Sequence, residues 1–281
     1  MITIRSLRKM QTTARRLAAQ GKTIGLVPTM GYLHEGHLSL IRRARKAADV
    51  VTVSIFVNPT QFAPHEDFTV YPRDEKGDVK KIKAAGGDIV FIPHAKSIYP
   101  SDFQTYVTVE KLTKTLEGAS RPTHFRGVTT IVAKLFNICR PDVAVFGMKD
   151  YQQAVVLKRM TVDLGYPVKF IIAPTVRERD GLAMSSRNAY FTTEQRKDAL
   201  CLYYALQTAQ AMVKSGIIDA PMIEKEMRAV IRSVCATAEI DYIAFTDFHS
   251  LKPLEKVDKN TVCSLAVKVH GVRLIDNMKL L

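Results

Sequence analysis

The sequence predicts a doubly wound α/β domain followed by a smaller α+β domain. Two observations carry this expectation. Short apolar runs alternate with helical patterns up to Pro174, and beyond it the order becomes two helices followed by strands. The early runs are continuously apolar rather than alternating. That marks strands buried on both faces of a parallel sheet covered by helices. Alternation of strand and helix then argues a doubly wound sheet.

Each element has its own justification. Ser6 is placed to cap a helix running to about Gln20, with Gly21 as its stop. Thr23–Val27 reads as a strand, followed by a helix from about His37 to Ala48. Val50–Val57 is a β-branched run and predicts the second strand. A charged helix from Asp74 to Ala85 ends at Gly86-Gly87, and Ile89–Ile92 follows as a strand. Gly127–Cys139 and Asp150–Leu164 read as helices, and Val143–Phe146 and Val168–Ala173 as strands. After Pro174, Thr192 with Gln195 forms a capping box opening a helix that ends near Gly216. Asp219 caps the next helix, with Pro221 in its first turn, and it runs to about Ala236. Ile240–Phe248, Val262–Val269 and Val272–Ile275 are strands, the last two joined at His270-Gly271. The expected domains are therefore residues 1–175, Rossmann-like, and residues 176–281, small α+β.

Composition narrows the function classes. The chain has 281 residues, 47% hydrophobic and 24% charged, which excludes long disorder and a fibrous fold. No apolar stretch approaches the roughly 18 to 20 residues that cross a bilayer. Four cysteines stand singly without a C-x-x-C pair, so reduced thiols in a cytoplasmic protein are expected. The net charge is +14. Residues 176–281 are nearly balanced, with 15 basic and 13 acidic side chains, so residues 1–175 hold most of the excess. Such a half can attract RNA, a membrane surface or a polyanionic small molecule, and solvated helix faces explain most such runs. The first acidic residue is Glu35, which gives the opening segment the look of a transit peptide. Its capped helix leading straight into a strand favours a mature cytoplasmic N-terminus instead.

Three turns hold the residues suited to chemistry. The first, Leu26 to Leu40, leads from a strand through a Gly-containing turn into a helix, with His34 and His37 three residues apart. Ligands of open α/β sheets bind outside the carboxyl ends of the strands, and a helix N-terminus there suits phosphate. Imidazole donates hydrogen bonds to phosphoryl oxygens and can become cationic as charge develops. H-x-x-H can also ligate zinc, but no local Cys or third His completes such a site. The second turn, Gly147 to Gln153, offers a close backbone approach at Gly147, the ammonium of Lys149, and Asp150 as a cap. Gln152 and Gln153 can each face solvent or turn inward. The third, Gly181 to Asn188, supplies the hydroxyls of Ser185 and Ser186 and the fork of Arg187. Asn58 to Phe62 adds Gln61 at a strand end. No G-x-x-x-x-G-K-[ST], G-x-G-x-x-G or G-x-S-x-G is present, which argues against a P-loop, a dinucleotide fingerprint and a serine elbow.

Taken together, Pro28 to His37, Val57 to Phe62, Tyr71-Pro-Arg73, His124 to Val128, Phe146 to Gln153 and Met184 to Asn188 closely resemble the pantoate–β-alanine ligase family. That family lies in the nucleotidyltransferase-like α/β superfamily, whose H-x-G-H signature reads here His34-Glu-Gly-His37. The resemblance implies ATP-dependent condensation of pantoate with β-alanine through pantoyl adenylate, releasing pyrophosphate and AMP. It also implies Mg²⁺ with ATP, no organic cofactor, a cytoplasmic homodimer, and neither nucleic-acid nor membrane partners. By the same resemblance, Met30, Gly31, Tyr32, Leu33, His34, Glu35, Gly36 and His37 contact ATP, with His37 as proton donor. Gly147, Met148, Lys149, Asp150, Val176, Met184, Ser185, Ser186 and Arg187 are its other ATP contacts. Gln61 is shared by pantoate and β-alanine, and Gln153 contacts pantoate. Met148 stands where many relatives carry a charged residue, and the third loop lacks the Lys-Met-Ser-Lys-Ser form of related synthetases. Lys149 and Arg187 would supply that cationic function.

The catalytic set expected is therefore His34, His37, Lys149, Ser185 and Arg187. Metal ligands are unassigned, because phosphate and water can supply most of a Mg²⁺ shell. In-line displacement at phosphorus needs positioning and charge stabilisation more than a protein nucleophile. Closure over an easily hydrolysed adenylate should exclude water, with the C-terminal domain as the lid. Two other readings are another nucleotidyltransferase and a basic RNA-binding module. Asn58–Gln61 with the double Gln argues against the first, and the absence of an RNA-recognition aromatic motif against the second.

Overall fold

A computed structural model of the chain describes residues 1–64 and 66–281. Six strands form one parallel sheet: β1 Ile2–Ile4, β2 Ile24–Thr29, β3 Val50–Ile55, β4 Ile89–Phe91, β5 Val143–Gly147 and β6 Lys169–Ala173. Their spatial order is β1-β4-β3-β2-β5-β6, every pair parallel. From β2 the chain winds outward through β3 and β4, then crosses to the other side of β2 for β5 and β6. The winding therefore reverses at β2 and β5, the position where open α/β sheets bind ligands.

Successive residues of β2 show why both faces are covered. Leu26 packs into a core with Met10, Phe91, Leu135 and Leu157, while Val27 packs on the other side with Ile41, Val53, Ile82 and Val145. Each core residue removed from water stabilises by roughly 1.5–3 kcal/mol, which is why an unbroken apolar run is tolerated here. The strands agree with the sequence reading except at the edge. Ile2–Ile4 was not expected, because three residues carry no readable period; it pairs with β4, with Ile2 N–H donating to Asp88 O at 2.9 Å.

The chain divides into two compact units, Met1–Gly147 with Gln152–Pro174, and Met148–Tyr151 with Thr175–Leu281. The second holds an antiparallel sheet of β7 Glu239–Asp247, β8 Thr261–Val269 and β9 Val272–Lys279. Helices Cys201–Lys214 and Ala220–Val234 share its core. The predicted capping box is present. Thr192 Oγ1 accepts from Gln195 N–H at 3.3 Å, and Gln195 Oε1 from Thr192 N–H at 3.1 Å. The single helix expected from there to Gly216 is instead two, Thr193–Asp198 and Cys201–Lys214. Ala199 and Leu200 at the break are both buried, so core packing outweighs continuity of the helical ladder.

Helix His124–Cys139 lies against the short Pro59–Gln61 turn through Gly127. A Cβ at Gly127 would come within 2.4 Å of Thr60 O and 2.6 Å of Gln61 N, both backbone atoms. Helix propensity alone makes Gly→Ala stabilising by about 1 kcal/mol. Here the clash governs, and Gly127→Ala is expected to destabilise by about 1–3 kcal/mol, read as a lower urea midpoint. A raised midpoint would show that the close approach is unimportant.

Candidate active site

The turn after β2 is built on unusual backbone. Gly31 has φ +87° and Tyr32 φ +50°. A Cβ on Gly31 would press on Asp78 Oδ2 and Ile55 Cγ2, each at 3.1 Å, so glycine suits both the conformation and the space. Thr29 Oγ1 accepts from Gly31 N–H at 3.3 Å and donates to Ser54 O at 2.8 Å, anchoring the turn to β3. Asp78, 1% exposed on the helix Glu75–Ala84, accepts Tyr32 N–H and Leu33 N–H, both at 2.7 Å. Lys81, one turn on, donates to Leu33 O at 2.7 Å. Burial pushes the Asp78 carboxyl above its ordinary range, and the two amides draw it partly back.

This clamp delivers the chain to a helix that begins two residues earlier than its sequence pattern suggested. The helix spans Glu35–Arg45 with His34 as N-cap. His34 O already accepts from His37 N–H at 2.9 Å and Leu38 N–H at 3.1 Å, so the ladder starts there. His34 and His37 flank the first turn with ring centroids 4.1 Å apart. His34 N–H donates to His37 Nδ1 at 3.4 Å. A neutral ring whose Nδ1 accepts carries its proton on Nε2. The first-turn amides and the positive end of the helix favour an anionic ligand. Glu35 is exposed and pairs with Arg42 on the same helix.

Gln61 stands beside this turn. Its Oε1 accepts from Asn58 Nδ2 at 3.1 Å, and its Nε2 donates to Met30 Sδ at 3.1 Å. A thioether is a weak acceptor, so a ligand carboxylate or hydroxyl can take over that N–H at little cost. Asn58 is the hub: its Nδ2 also donates to Gly127 O at 3.1 Å, and its Oδ1 accepts from Thr60 Oγ1 at 3.0 Å and Tyr99 OH at 2.9 Å. Behind it, Arg121 holds Glu66 through two hydrogen bonds of 2.6 Å. His124 Nδ1 lies 3.0 Å from Gln61 O. Burial and the neighbouring Arg121 hold His124 down at about 4, so it is neutral near pH 7 and donates to that carbonyl. Of the two glutamines of the Gly147 segment, Gln152 is the one that turns inward. It accepts from Glu117 N–H at 2.9 Å and donates to Leu112 O and Thr115 O at 2.9 and 2.8 Å, a fastening of that loop. Gln153 is half-buried.

The remaining expected residues lie in the second unit apart from Gly147, which closes β5 in the first. Met148–Asp150 forms a 3₁₀ turn rather than the start of the helix proper, which spans Tyr151–Asp163. Lys149 Nζ lies 3.4 Å from Asp150 Oδ1. Asn277 on β9 donates to both Met148 O and Lys149 O at 2.9 Å. Next to it, buried Asp276 pairs with Arg177 at 2.6 and 3.0 Å. Burial raises the Asp276 carboxyl, and Arg177 pulls against that shift. Arg177 also donates to Gly181 O at 3.0 Å and Asn277 O at 3.2 Å. Val176 and Met184 are joined across this hairpin by Met184 N–H to Val176 O at 3.0 Å. Ser185 caps the 3₁₀ helix Ser186–Tyr190, its Oγ accepting from Arg187 N–H at 3.3 Å. Ser186 is buried and Arg187 half-buried.

Each unit thus assembles its own set. Met30, His34, His37 and Gln61 come together in the first, and Met148–Asp150, Val176 and Met184–Arg187 share the Asp276–Asn277 scaffold in the second. Sequence reasoning missed Asp78, Asn58 as a hub, the Arg121–His124 pair, Arg177, Asp276 and Asn277. A signal existed for Asp78: it lies four residues before the buried Ile82, a carboxylate on the apolar stripe of a helix. Asp276 and Asn277 carried none, because both are buried by tertiary packing within an otherwise ordinary strand.

Residues 2–279 match the sequence model of a family described as Pantoate-beta-alanine ligase. The pantothenate synthetase of Moorella thermoacetica is 54% identical over 278 residues, covering 99% of this chain and 97% of that protein. That of Geobacter sulfurreducens is 51% identical, covering 98% and 96%. Among solved structures, pantothenate synthetase from Thermus thermophilus superposes with a TM-score of 0.94 at 42% identity, covering 100% of this chain and 99% of the other. Pantoate-beta-alanine ligase from Francisella tularensis, complexed with beta-gamma ATP and beta-alanine, does so at 0.83 and 33%, covering 100% and 98%.

The depressed His124 sets a pH dependence. Between about 4 and the ordinary histidine value of 6.5, the unfolded chain binds the proton and the folded one does not. Stability is therefore full above 6.5 and falls as pH drops toward 4, by up to about 3 kcal/mol. Urea midpoints at pH 7 and pH 4.5 measure the loss. His124→Gln should remove most of its share, and an unchanged slope in that variant would assign the effect elsewhere.

Proposed function

Because the chain belongs to the pantoate–β-alanine ligase family, whose members join pantoate to β-alanine with ATP, we propose that it does so by way of pantoyl adenylate. A pantoate carboxylate oxygen attacks the α-phosphorus of ATP and pyrophosphate leaves. The β-alanine amine then attacks the acyl carbon and AMP leaves, completing the amide. The observation that carries this reading is the His34–His37 pair on the first helical turn after β2, with Gln61 reaching Met30 beside it. A phosphate-favouring helix start next to an amide donor suits a nucleotide and a small hydroxy acid together.

The roles follow from the chemistry of each group. His37 Nε2–H is the donor to the departing pyrophosphate, and His34 shares the phosphoryl charge. The Met30–His37 turn binds ATP through its backbone. Lys149 steadies phosphoryl charge as a compact cation, and Ser185 and Arg187 add a hydroxyl and a bidentate fork. Gly147, Met148, Asp150, Val176, Met184 and Ser186 complete the nucleotide contacts. Gln61 serves pantoate and then β-alanine, and Gln153 serves pantoate. Among the described residues, the one group of three side chains close enough to hold a metal, Asp198, Cys235 and His270, includes none of these. Mg²⁺ would arrive on the triphosphate and keep most of its water shell. No helix among the described residues is long and apolar enough to cross a membrane. A cytoplasmic homodimer belongs to the same reading.

Exchange of labelled pyrophosphate into ATP tests the intermediate. Pantoate alone should support it with β-alanine absent, and His37→Ala should slow it by about 10²–10⁴ while remaining folded. Exchange that requires β-alanine, or pantoate found covalently bound to protein, would replace the adenylate route.

The two glutamines are separable from the ATP contacts. Gln61→Ala and Gln153→Ala should each weaken pantoate binding about ten- to a hundredfold, the worth of a hydrogen bond to a charged group, with ATP affinity nearly unchanged. Calorimetric titration of each ligand reads this. Loss of ATP binding with pantoate binding intact would reverse the subsites.

A further inference from the structure

We propose that Asp198, Cys235 and His270, all in the second unit, form a binding site for a borderline-soft divalent cation of the zinc type. One ligand atom from each, a carboxylate oxygen, a thiol sulfur and an imidazole nitrogen, lies within 4.8 Å of the others. They come from three separate elements. Asp198 ends the helix Thr193–Asp198, Cys235 follows the helix Ala220–Val234, and His270 sits at the β8–β9 turn with φ +46°. A tetrahedral zinc with bonds of about 2.0–2.3 Å holds its ligand atoms roughly 3.3–3.8 Å apart. The present spacing needs two small adjustments. The 2.6 Å hydrogen bond between His270 Nε2 and Asp198 Oδ2 must open, and Cys235 Sγ must leave its 3.6 Å contact with Thr237 Oγ1. The His270 and Asp198 side chains are 29% and 36% exposed, so the first adjustment is a rotation at the surface.

Three physical points favour a cation here. The C-terminal end of the fifteen-residue helix Ala220–Val234 directs its negative dipole end toward Cys235. Several basic side chains nearby in sequence are engaged elsewhere: Arg196 with Glu178 and Asp180, Lys197 with Glu194, Lys268 with Glu239, and Arg273 with Asp241. A mixed sulfur, nitrogen and oxygen set selects zinc over Mg²⁺ or Ca²⁺, which take oxygen. Cys201 is no fourth ligand. It is fully buried and lies outside the group of three ligand atoms. The fourth position is therefore water. On binding, the Cys235 S–H bond gives way to an S–Zn bond and its proton passes to solvent. The metal would pin the break between two helices to the tip of the β8–β9 hairpin.

Zinc alone, added to chelator-treated full-length protein, is the probe. Equilibrium dialysis should find one zinc per chain, and Co²⁺ in its place should give a thiolate charge-transfer band. Zinc should also raise the Tm. His270→Asn, which keeps the left-handed backbone at low cost, and Asp198→Asn should each weaken zinc at least about a hundredfold. Cys235→Ser should abolish the Co²⁺–thiolate band. If that buried substitution unfolds the chain, the two surface variants carry the test. The site is refuted if the native chain takes up no zinc at micromolar concentration, if His270→Asn and Asp198→Asn bind it as tightly as the native chain, or if only His37→Ala removes it.

Discussion

A buried carboxylate governs the geometry of the first unit. The turn from Met30 to Leu33 has two consecutive residues of positive φ and so cannot satisfy its own amides within a regular ladder. Asp78 accepts two of them at 2.7 Å from a helix that belongs to the next crossover. The position of that helix is in turn set by the packing of Ile82 against Val27 and Val53. The start of the Glu35–Arg45 helix, and with it the spacing of His34 and His37, therefore depends on a side chain more than forty residues away. Desolvation of Asp78 works against the fold, and the two short hydrogen bonds together with the Lys81 contact to Leu33 O offset it.

The second unit repeats the device with different parts. Asp276 and Asn277 are adjacent on β9, yet both side chains are spent on irregular backbone. Asn277 collects two carbonyls of the Met148–Asp150 turn. Asp276 orients Arg177, which reaches the carbonyls of Gly181 and Asn277. Gly181 is confined in addition by the Tyr203 ring, which a Cβ at that position would meet at 1.9 Å. A buried pair of this kind contributes little net stability, because its desolvation nearly cancels its attraction. Here the geometry it specifies is that of two loops bearing lysine, serine and arginine. The candidate site residues thus sit on turns and at a helix start, and Asp78 and Asp276, which position them, sit on a helix and a strand.

Asn58 shows how tightly such support is coupled. Its four hydrogen bonds tie Gln61, Thr60, Tyr99 and the Gly127 carbonyl into one network. The absence of a side chain at Gly127 lets the helix come close enough for that to happen. Removing one member leaves buried donors and acceptors unpaired, so the network behaves as a unit.

Much of the fold was legible in the chain itself. Buried parallel strands need apolar residues on both faces, so Thr23–Val27, Val50–Val57 and Val143–Phe146 read as strands without further help, and Ser6, Thr192 and Asp219 announced their helices as caps. The motif residues His34, His37, Gln61, Lys149 and Arg187 were legible as well, since the chemistry of each type and its place after a strand are local properties. What local properties could not reveal was partnership. Asp78, Asp276, Asn277, Arg121 and the inward turn of Gln152 acquire their roles from atoms far away in sequence, and the early start of the helix at Glu35 and the break at Ala199–Leu200 come from packing. Sequence by itself determined which segments form strands and helices and which residues bear reactive groups, because burial pattern and capping act over a few residues. Tertiary structure alone decided which buried polar groups hold those residues in place, because a desolvated carboxylate or amide is tolerated only where distant backbone supplies its hydrogen bonds.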